Sequence, residues 1–131
     1  MREFKSNNHV MYSCQYHLVW CPKYRRKVLV DDVDTRLQAI IAEVCTERGS
    51  AVLELEIRPD HVHLVVECDP QFGIHRLVKL IKGRSSFLLR SEFPALKRRL
   101  PSLWTNAYFV CTVGGAPRAV IDAYVAAQKD V

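Results

Sequence analysis

The sequence predicts an α+β domain of the ferredoxin-like type, a split β-α-β sandwich whose antiparallel sheet carries its helices on one face. The first observation is the order of segments along the chain, which runs strand, helix, strand, strand, helix, strand. The second is that apolar residues alternate in the strand segments and recur at helical spacing in the others. The third is a last helical segment, which predicts an extra helix at the C-terminus.

A strand and a helix open this order. Residues 12–20 are rich in strand-forming side chains and stop just before Pro22, so they predict the first strand. Residues 31–48 predict the first helix, which ends at Gly49. Its apolar side chains recur at helical spacing, at Val33, Leu37, Ile40, Ile41 and Val44.

A hairpin follows, because two alternating runs flank a short turn. Residues 52–58 and 61–68 are these runs, and Pro59-Asp60 is the turn. Side chains two positions apart share one face of a strand, so the hairpin has an apolar face for the helices to cover. Its members are Leu53, Leu55, Ile57, Val62, Leu64 and Val66.

The second half of the chain repeats the pattern and adds the extra helix. Residues 74–90 predict a helix and residues 106–113 a strand. Gly114-Gly115 then breaks the strand, and Pro117 begins a final helix.

The opposite face of the sheet is expected to be polar and to carry the chemistry. From the hairpin it collects Glu54, Glu56, His61, His63 and Glu67. With the usual sheet order, Gln15 and His17 of the first strand join them. A half-open face with imidazoles and carboxylates is where we expect the site.

Length and composition limit what the chain can be. Its 131 residues suffice for one core, so we treat 1–131 as a single domain. The net charge of +5 weakly favours a polyanionic partner. Five scattered cysteines indicate reduced thiols of a cytoplasmic protein. No apolar run is long enough to span a membrane, and the N-terminal residues lack a signal core.

His61 and His63 suggest half of a metal site. Neutral imidazoles two residues apart on a strand can both donate to one divalent ion and leave positions open for a substrate. The plainer interpretation is two solvent-facing histidines, because His-x-His also occurs by chance.

Tyr124 and Gln128 lie one turn apart on the last helix, so a hydroxyl and an amide oxygen share a helix face. Periodicity alone would make Tyr124 a core or interface aromatic, since it lies with Val120 and Ile121. A phenol with a pKa of about 10 needs a nearby cation or base to act as a nucleophile.

Three basic segments suggest contacts with nucleic acid. They lie at residues 23–27, 79–84 and 97–99. Aromatic residues occur near them, at Trp20, Tyr24, Phe87 and Trp104, and cationic side chains with aromatic rings are what single strands require. The candidate nucleic-acid contacts are Lys23, Arg25, Arg26, Lys79, Lys82 and Arg84.

Five blocks of the chain resemble the small single-tyrosine HUH transposases of bacterial and archaeal insertion sequences, in which HUH stands for His-hydrophobic-His. The blocks are Tyr16–Arg25, Pro59–Leu64, Lys79–Ser86, Leu103-Trp104 with Tyr108–Val110, and Tyr124–Gln128. They occur in the family's order and span nearly the whole chain, which would make 1–131 a single HUH transposase domain.

This resemblance implies an activity and a set of site residues. His61, His63 and Gln128 would bind Mg²⁺ or Mn²⁺, although zinc is not excluded by the sequence. Tyr124 would attack a DNA phosphate to form a covalent 5′-phosphotyrosine and free a 3′-hydroxyl. The DNA would be single-stranded with hairpins at the element ends. The protein would be a homodimer with composite active sites, for which Gly114-Gly115 offers a hinge.

Three alternatives stay open. A domesticated relative could process repeated chromosomal palindromes by the same chemistry. A non-catalytic module could bind single-stranded nucleic acid on a ferredoxin-like sheet, but it would need exposed aromatic side chains on the open face. A structural metal-binding domain would need four protein ligands, and the sequence offers no such closed set.

Overall fold

The computed structural model of the protein describes residues 4–7, 9–112 and 118–131. Its ordered elements, in chain order, are β1 (Lys5–Ser6), β2 (Met11–Tyr12), β3 (Gln15–Trp20), α1 (Asp31–Glu47), β4 (Ala51–Arg58), β5 (His61–Glu67), α2 (Ile74–Glu92), α3 (Pro94–Arg99), β6 (Phe109–Thr112) and α4 (Arg118–Ala127). No helix in these residues is both long and apolar enough to cross a membrane.

The four long strands form one antiparallel sheet in the order β4-β5-β3-β6. This is the strand order of the ferredoxin-like split β-α-β motif, so the predicted fold is confirmed. The predicted first strand is divided, because Met11–Tyr12 pairs with Lys5–Ser6 and only Gln15–Trp20 enters the large sheet. The short basic helix α3 has no counterpart in the sequence prediction.

One face of the sheet packs against α1 and α2 and forms the main core. Leu18 and Leu64, which are direct partners on β3 and β5, are fully buried there. From the helices, the buried side chains include Val33, Leu37, Ile40, Ile41, Val44, Leu77, Ile81 and Leu89. The predicted apolar stripe of the first helix is therefore the stripe that the structure buries.

A β-bulge in β4 corrects the predicted apolar face. Val52 pairs with Val66 and Glu54 with Val65, so Leu53 has no partner on β5. Half of Leu53 is exposed, whereas Leu55 and Ile57 pack against the core as expected. The extra residue resets the alternation, which a regular period of two cannot anticipate.

The opposite face is less polar than predicted. Val19 is fully buried and Val65 nearly so, yet neither belongs to the main core. Helix α4 lies on this side of the sheet and contacts β3, with Ile121 as its buried apolar residue. The helix therefore covers part of a face that the alternation predicts to be open.

Both tryptophans are core residues, which corrects their suggested role in stacking on DNA bases. Trp20 is fully buried and Trp104 is 5% exposed. Their rings meet edge to face with centroids 6.0 Å apart. The Trp104 Nε1–H donates to the Ser85 hydroxyl at 3.0 Å, and that hydroxyl donates to the Ile81 carbonyl at 2.6 Å.

The Ser85–Trp104 bond predicts a measurable loss of stability on truncation. Ser85→Ala leaves a buried indole N–H without its acceptor, which we expect to cost about 1–3 kcal/mol of unfolding free energy. Urea denaturation followed by tryptophan fluorescence measures this change. The matched control is Ser91→Ala, which removes the same hydroxyl-to-carbonyl helix bond at an exposed position. Equal urea midpoints for the two variants would contradict the assigned role.

Candidate active site

The pleat of β5 brings His61 and His63 to the face of the sheet that α4 partly covers. Both imidazoles are half-buried, while Val62 between them is fully buried on the other face. The pairing of β5 with β4 on one side and β3 on the other fixes this orientation. The predicted pair of imidazoles on one face is present in the structure.

Asp60 holds the ring of His61. The Nδ1 atom of His61 lies 2.8 Å from Oδ1 of Asp60. A carboxylate accepts, so this contact places the ring proton on Nδ1 and leaves the lone pair of Nε2 free. This is the arrangement in which a carboxylate orients a metal-binding histidine. The sequence analysis treats Asp60 only as a turn residue, although its position directly before His61 was a usable signal.

His63 has a partner that the sequence analysis placed on this face without assigning it a role. Nε2 of His63 lies 3.0 Å from Nδ1 of His17, and the two rings stack with centroids 5.2 Å apart. Burial lowers the pKa of His63, and the neighbouring His17 lowers it further. The lowered pKa favours the neutral imidazole, which is the form that binds a metal ion, and Nε2 would have to exchange its contact with His17 for the ion.

Tyr124 reaches the same face from α4. Its ring contacts Phe109 with centroids 5.7 Å apart. Phe109 pairs with Val19, and Val19 pairs with His63, so the three residues form one row across the sheet. The Tyr124 hydroxyl is buried with no hydrogen-bond partner in the described chain. Burial raises the pKa of Tyr124 to about 12, and the Cys21 thiol adds to this effect.

Gln128 lies just after α4, which ends at Ala127, and so not on the helix as the sequence predicts; it is 7% exposed. Its Oε1 is also buried without a partner among the described residues. The Tyr124 and Gln128 oxygens, four residues apart, are both exceptions to the rule that buried polar atoms are hydrogen-bonded. Both oxygens are therefore available to a ligand.

The ligand set that the resemblance implies would suit a hard or borderline divalent ion whose coordination a substrate completes. Nitrogen from His61 and His63 with the amide oxygen of Gln128 is suited to Mg²⁺ or Mn²⁺ bound together with phosphate oxygens. Among the described residues, no three His, Cys, Asp or Glu side chains lie close enough to hold an ion by themselves.

Two of the predicted DNA contacts already have partners within the chain. The Lys82 ammonium donates to the carbonyls of Thr105 and Ala107 at 2.7 and 3.1 Å, and burial lowers its pKa. The Arg84 guanidinium pairs with Glu47 at 2.7 Å and with Glu43 at 3.5 Å, which ties α2 to α1.

The other four predicted DNA contacts lie in different surroundings. Arg26 and Lys79 are exposed, and Lys23 lies over the ring of Tyr24. Lys79 lines a cleft of about 360 Å³ beside Lys82, Trp104 and Tyr108. Arg25 faces the site itself, where its Nε lies 3.3 Å from Asp60.

Comparison with known proteins decides the family. A family profile described as "Transposase IS200 like" matches residues 10–128. The chain is 38% identical over 130 residues to the ISDra2 transposase TnpA of Deinococcus radiodurans, covering 98% of this chain and 93% of that protein. The chain belongs to the IS200-like transposase family. It is also 33% identical over 116 residues to the transposase for insertion sequence element IS200 of Salmonella typhimurium, covering 87% of this chain and 76% of that protein.

Two solved structures described as transposases share the fold. A crystal structure from Deinococcus radiodurans, described as a candidate transposase, superposes with a TM-score of 0.87 at 38% identity and covers 97% of this chain and 99% of its own. A REP-associated tyrosine transposase bound to a REP hairpin gives a TM-score of 0.59 at 12% identity, with coverage of 92% and 67%. The second likeness concerns the fold alone.

The burial of the Tyr124 hydroxyl predicts how this phenol titrates. Ultraviolet absorbance at 295 nm follows tyrosine ionisation, and subtracting the curve of Tyr124→Phe isolates this residue. Because burial penalises the phenolate, the midpoint should lie near pH 12, above the usual value of about 10. A midpoint at the usual value would mean that α4 does not cover the phenol in solution.

Proposed function

We propose that this IS200-like transposase cleaves and rejoins single-stranded DNA through a covalent 5′-phosphotyrosine on Tyr124, with His61, His63 and Gln128 holding a Mg²⁺ or Mn²⁺ ion. One observation carries the proposal. The Tyr124 hydroxyl is buried without a partner among the described residues, and its ring contacts Phe109, which lies in the same row of the sheet as His63; the buried amide oxygen of Gln128, also without a described partner, follows four residues later. Membership of a transposase family supports DNA strand cleavage and transfer in general terms.

The chemistry is an in-line displacement at phosphorus. The Tyr124 oxygen forms a bond to the phosphorus atom after its proton has left, and the bond from phosphorus to the 3′-oxygen breaks. The leaving oxygen takes up a proton and becomes a 3′-hydroxyl, while the 5′-phosphate stays on the tyrosine. The reverse attack by a 3′-hydroxyl rejoins DNA without ATP, because one phosphodiester bond replaces another.

The divalent ion would neutralise the scissile phosphate and stabilise the charge that develops on its oxygens. The chain's own residues prepare for it, because Asp60 leaves Nε2 of His61 free and burial favours the neutral form of His63. In its covered position Tyr124 is protonated at neutral pH. Attack therefore requires that the surroundings of its hydroxyl change when DNA and metal enter.

Single-stranded DNA with hairpins is the proposed substrate. The related REP-associated tyrosine transposase was solved with a REP hairpin, and this chain shares its fold. A homodimer with composite sites is also part of the proposal. The proposed hinge Gly114-Gly115 lies in 113–117, outside the described residues. In the described chain α4 packs on the sheet of its own protomer. A composite site would form if each protomer placed its α4 on the sheet of the other, so that the same contact is made between protomers.

A covalent adduct is the decisive expected result. The protein is incubated with Mg²⁺ and labelled single-stranded oligonucleotides tiling both strands of the DNA beside its gene, then run on a denaturing gel. We expect a protein–DNA band that Tyr124→Phe and His61→Ala abolish and that EDTA suppresses. The matched tyrosine control is Tyr12→Phe on β2, which should keep the band. An adduct that survives in Tyr124→Phe would refute the nucleophile assignment.

Lys79 and Lys82 should respond differently to truncation. Lys79 is exposed, so Lys79→Ala should weaken DNA binding and lower the slope of log Kd against log salt by about 1. Lys82→Ala removes the two hydrogen bonds of a half-buried ammonium and should cost about 1–3 kcal/mol of stability. Fluorescence anisotropy over a KCl series and thermal melting separate the effects. The assignment fails if Lys82→Ala leaves the melting temperature unchanged.

A further inference from the structure

We propose that Arg25 is a positioning residue that connects α4, the helix that carries Tyr124, to the proposed metal ligand His61. This role, and not a contact with DNA, is its main function. The inference rests on the proposed function, because it assigns Arg25 to the same site. It replaces the expectation that Arg25 acts together with Lys23 and Arg26 on phosphate groups.

The backbone before Arg25 has an unusual conformation. Tyr24 and Arg25 both have positive φ, 58° and 50°, in the left-handed region that L-residues other than glycine seldom adopt. Such residues are strained and persist only where surrounding contacts hold them. Here the N–H of Lys23 donates to Leu103 O and that of Tyr24 to Val131 O, both at 2.8 Å.

This turn points the guanidinium of Arg25 at two elements of the site. Nε lies 3.3 Å from Oδ2 of Asp60, and Nη1 donates to the carbonyl of Val125 at 3.4 Å. The other oxygen of Asp60, Oδ1, lies 2.8 Å from Nδ1 of His61. A continuous chain of contacts thus runs from the residue after Tyr124 through Arg25 and Asp60 to His61.

The chain of contacts explains why the residue is arginine. A planar guanidinium has several N–H donors and can bind a carboxylate on one side and a carbonyl on another, whereas an ammonium is a point charge. The Arg25 side chain is 28% exposed and that of Asp60 is 19% exposed, so solvent screens the pair only partly. Arg26, the next residue, is exposed, which leaves it free for phosphate.

Removing the guanidinium should therefore have two local effects. Asp60 loses the contact that fixes its second oxygen, so His61 is held in place less firmly. Helix α4 also loses its side-chain tie directly after Tyr124. Partners that orient metal-binding histidines typically change metal affinity by about 10–100-fold when they are altered.

The test compares Arg25→Gln and Arg25→Lys with Arg26→Gln, which removes the same charge from the adjacent exposed position. Mn²⁺ affinity is measured by electron paramagnetic resonance without DNA, and hydrogen exchange of residues 118–131 reports on α4. For both Arg25 variants we expect about 10-fold weaker Mn²⁺ binding and faster exchange in α4. Arg26→Gln should leave both at wild-type values and weaken binding of a single-stranded hairpin oligonucleotide.

Asp60→Asn is a second, independent test of the same chain of contacts. It weakens the contacts by removing a negative charge, whereas Arg25→Gln removes a positive one. It should weaken Mn²⁺ binding as Arg25→Gln does, with no loss of affinity for the oligonucleotide. The double variant should show a defect smaller than the sum of the single ones, as expected for residues in one network.

The outcomes separate this inference from the proposed function. It is overturned if Arg25→Gln loses oligonucleotide affinity as Arg26→Gln does while Mn²⁺ affinity and α4 exchange stay at wild-type values. A wild-type protein that forms no covalent adduct with DNA would instead defeat the proposed function. The Mn²⁺ and exchange measurements would still report whether Arg25 joins α4 to His61.

Discussion

The site depends on one constraint, which is that β5 buries apolar side chains on one face and presents His61 and His63 on the other. Val62, Leu64 and Val66 are fully buried beneath the helices, so the strand cannot turn over or slip by one residue without exposing them. His61 and His63 occupy the alternate positions and must therefore face the other way. Because β5 is paired on both sides, with β3 and with β4, its imidazoles are positioned by the main core and not by a loop.

Helix α4, which carries Tyr124, is held in place by far fewer buried contacts than β5. Its buried apolar contribution is Ile121, and its C-terminal end is fixed by the carbonyls of Val125 and Val131, which accept from Arg25 and Tyr24. A helix with so little buried surface can leave its place at low cost in free energy. The site thus combines two histidines on a rigid strand with the proposed nucleophile on an element that can move, which suits the proposed reaction, in which the DNA must enter and later exchange ends.

The sequence predicted the strands and helices in which apolar residues recur at a regular spacing. Alternation located the hairpin and the two imidazoles, and helical spacing located α1 and α2, because both patterns follow from backbone geometry alone. The bulge that exposes Leu53 could not be predicted, since a bulge depends on how two strands twist against each other. The burial of Trp20 and Trp104 was missed for a related reason, because nearby basic residues do not reveal which way a ring points.

The contacts of the candidate site were also beyond local patterns. The pairing of His17 with His63 depends on β3 lying beside β5, which is a property of the whole sheet. The bridge from Arg25 to Asp60 depends on two consecutive left-handed residues, and neither Tyr24 nor Arg25 is a residue type that signals such a turn. Residues that act through tertiary geometry are therefore the ones that a single sequence hides, even where the residues they serve are plain to see.

The charge of the donor set explains why neutral ligands suit this site. In the proposed ligand set, two imidazoles and an amide would leave the full charge of a divalent ion to act on a phosphate, whereas carboxylate ligands would offset part of it. Glu56 shares this face, but Arg58 lies 2.6 Å from its carboxylate and holds its pKa below the usual range. Asp60 is likewise occupied by His61 and Arg25, so Glu56 and Asp60 are both engaged by cationic or N–H partners. In the proposed function, these acidic side chains would orient the ligands, and the positive charge of the ion would face the DNA backbone.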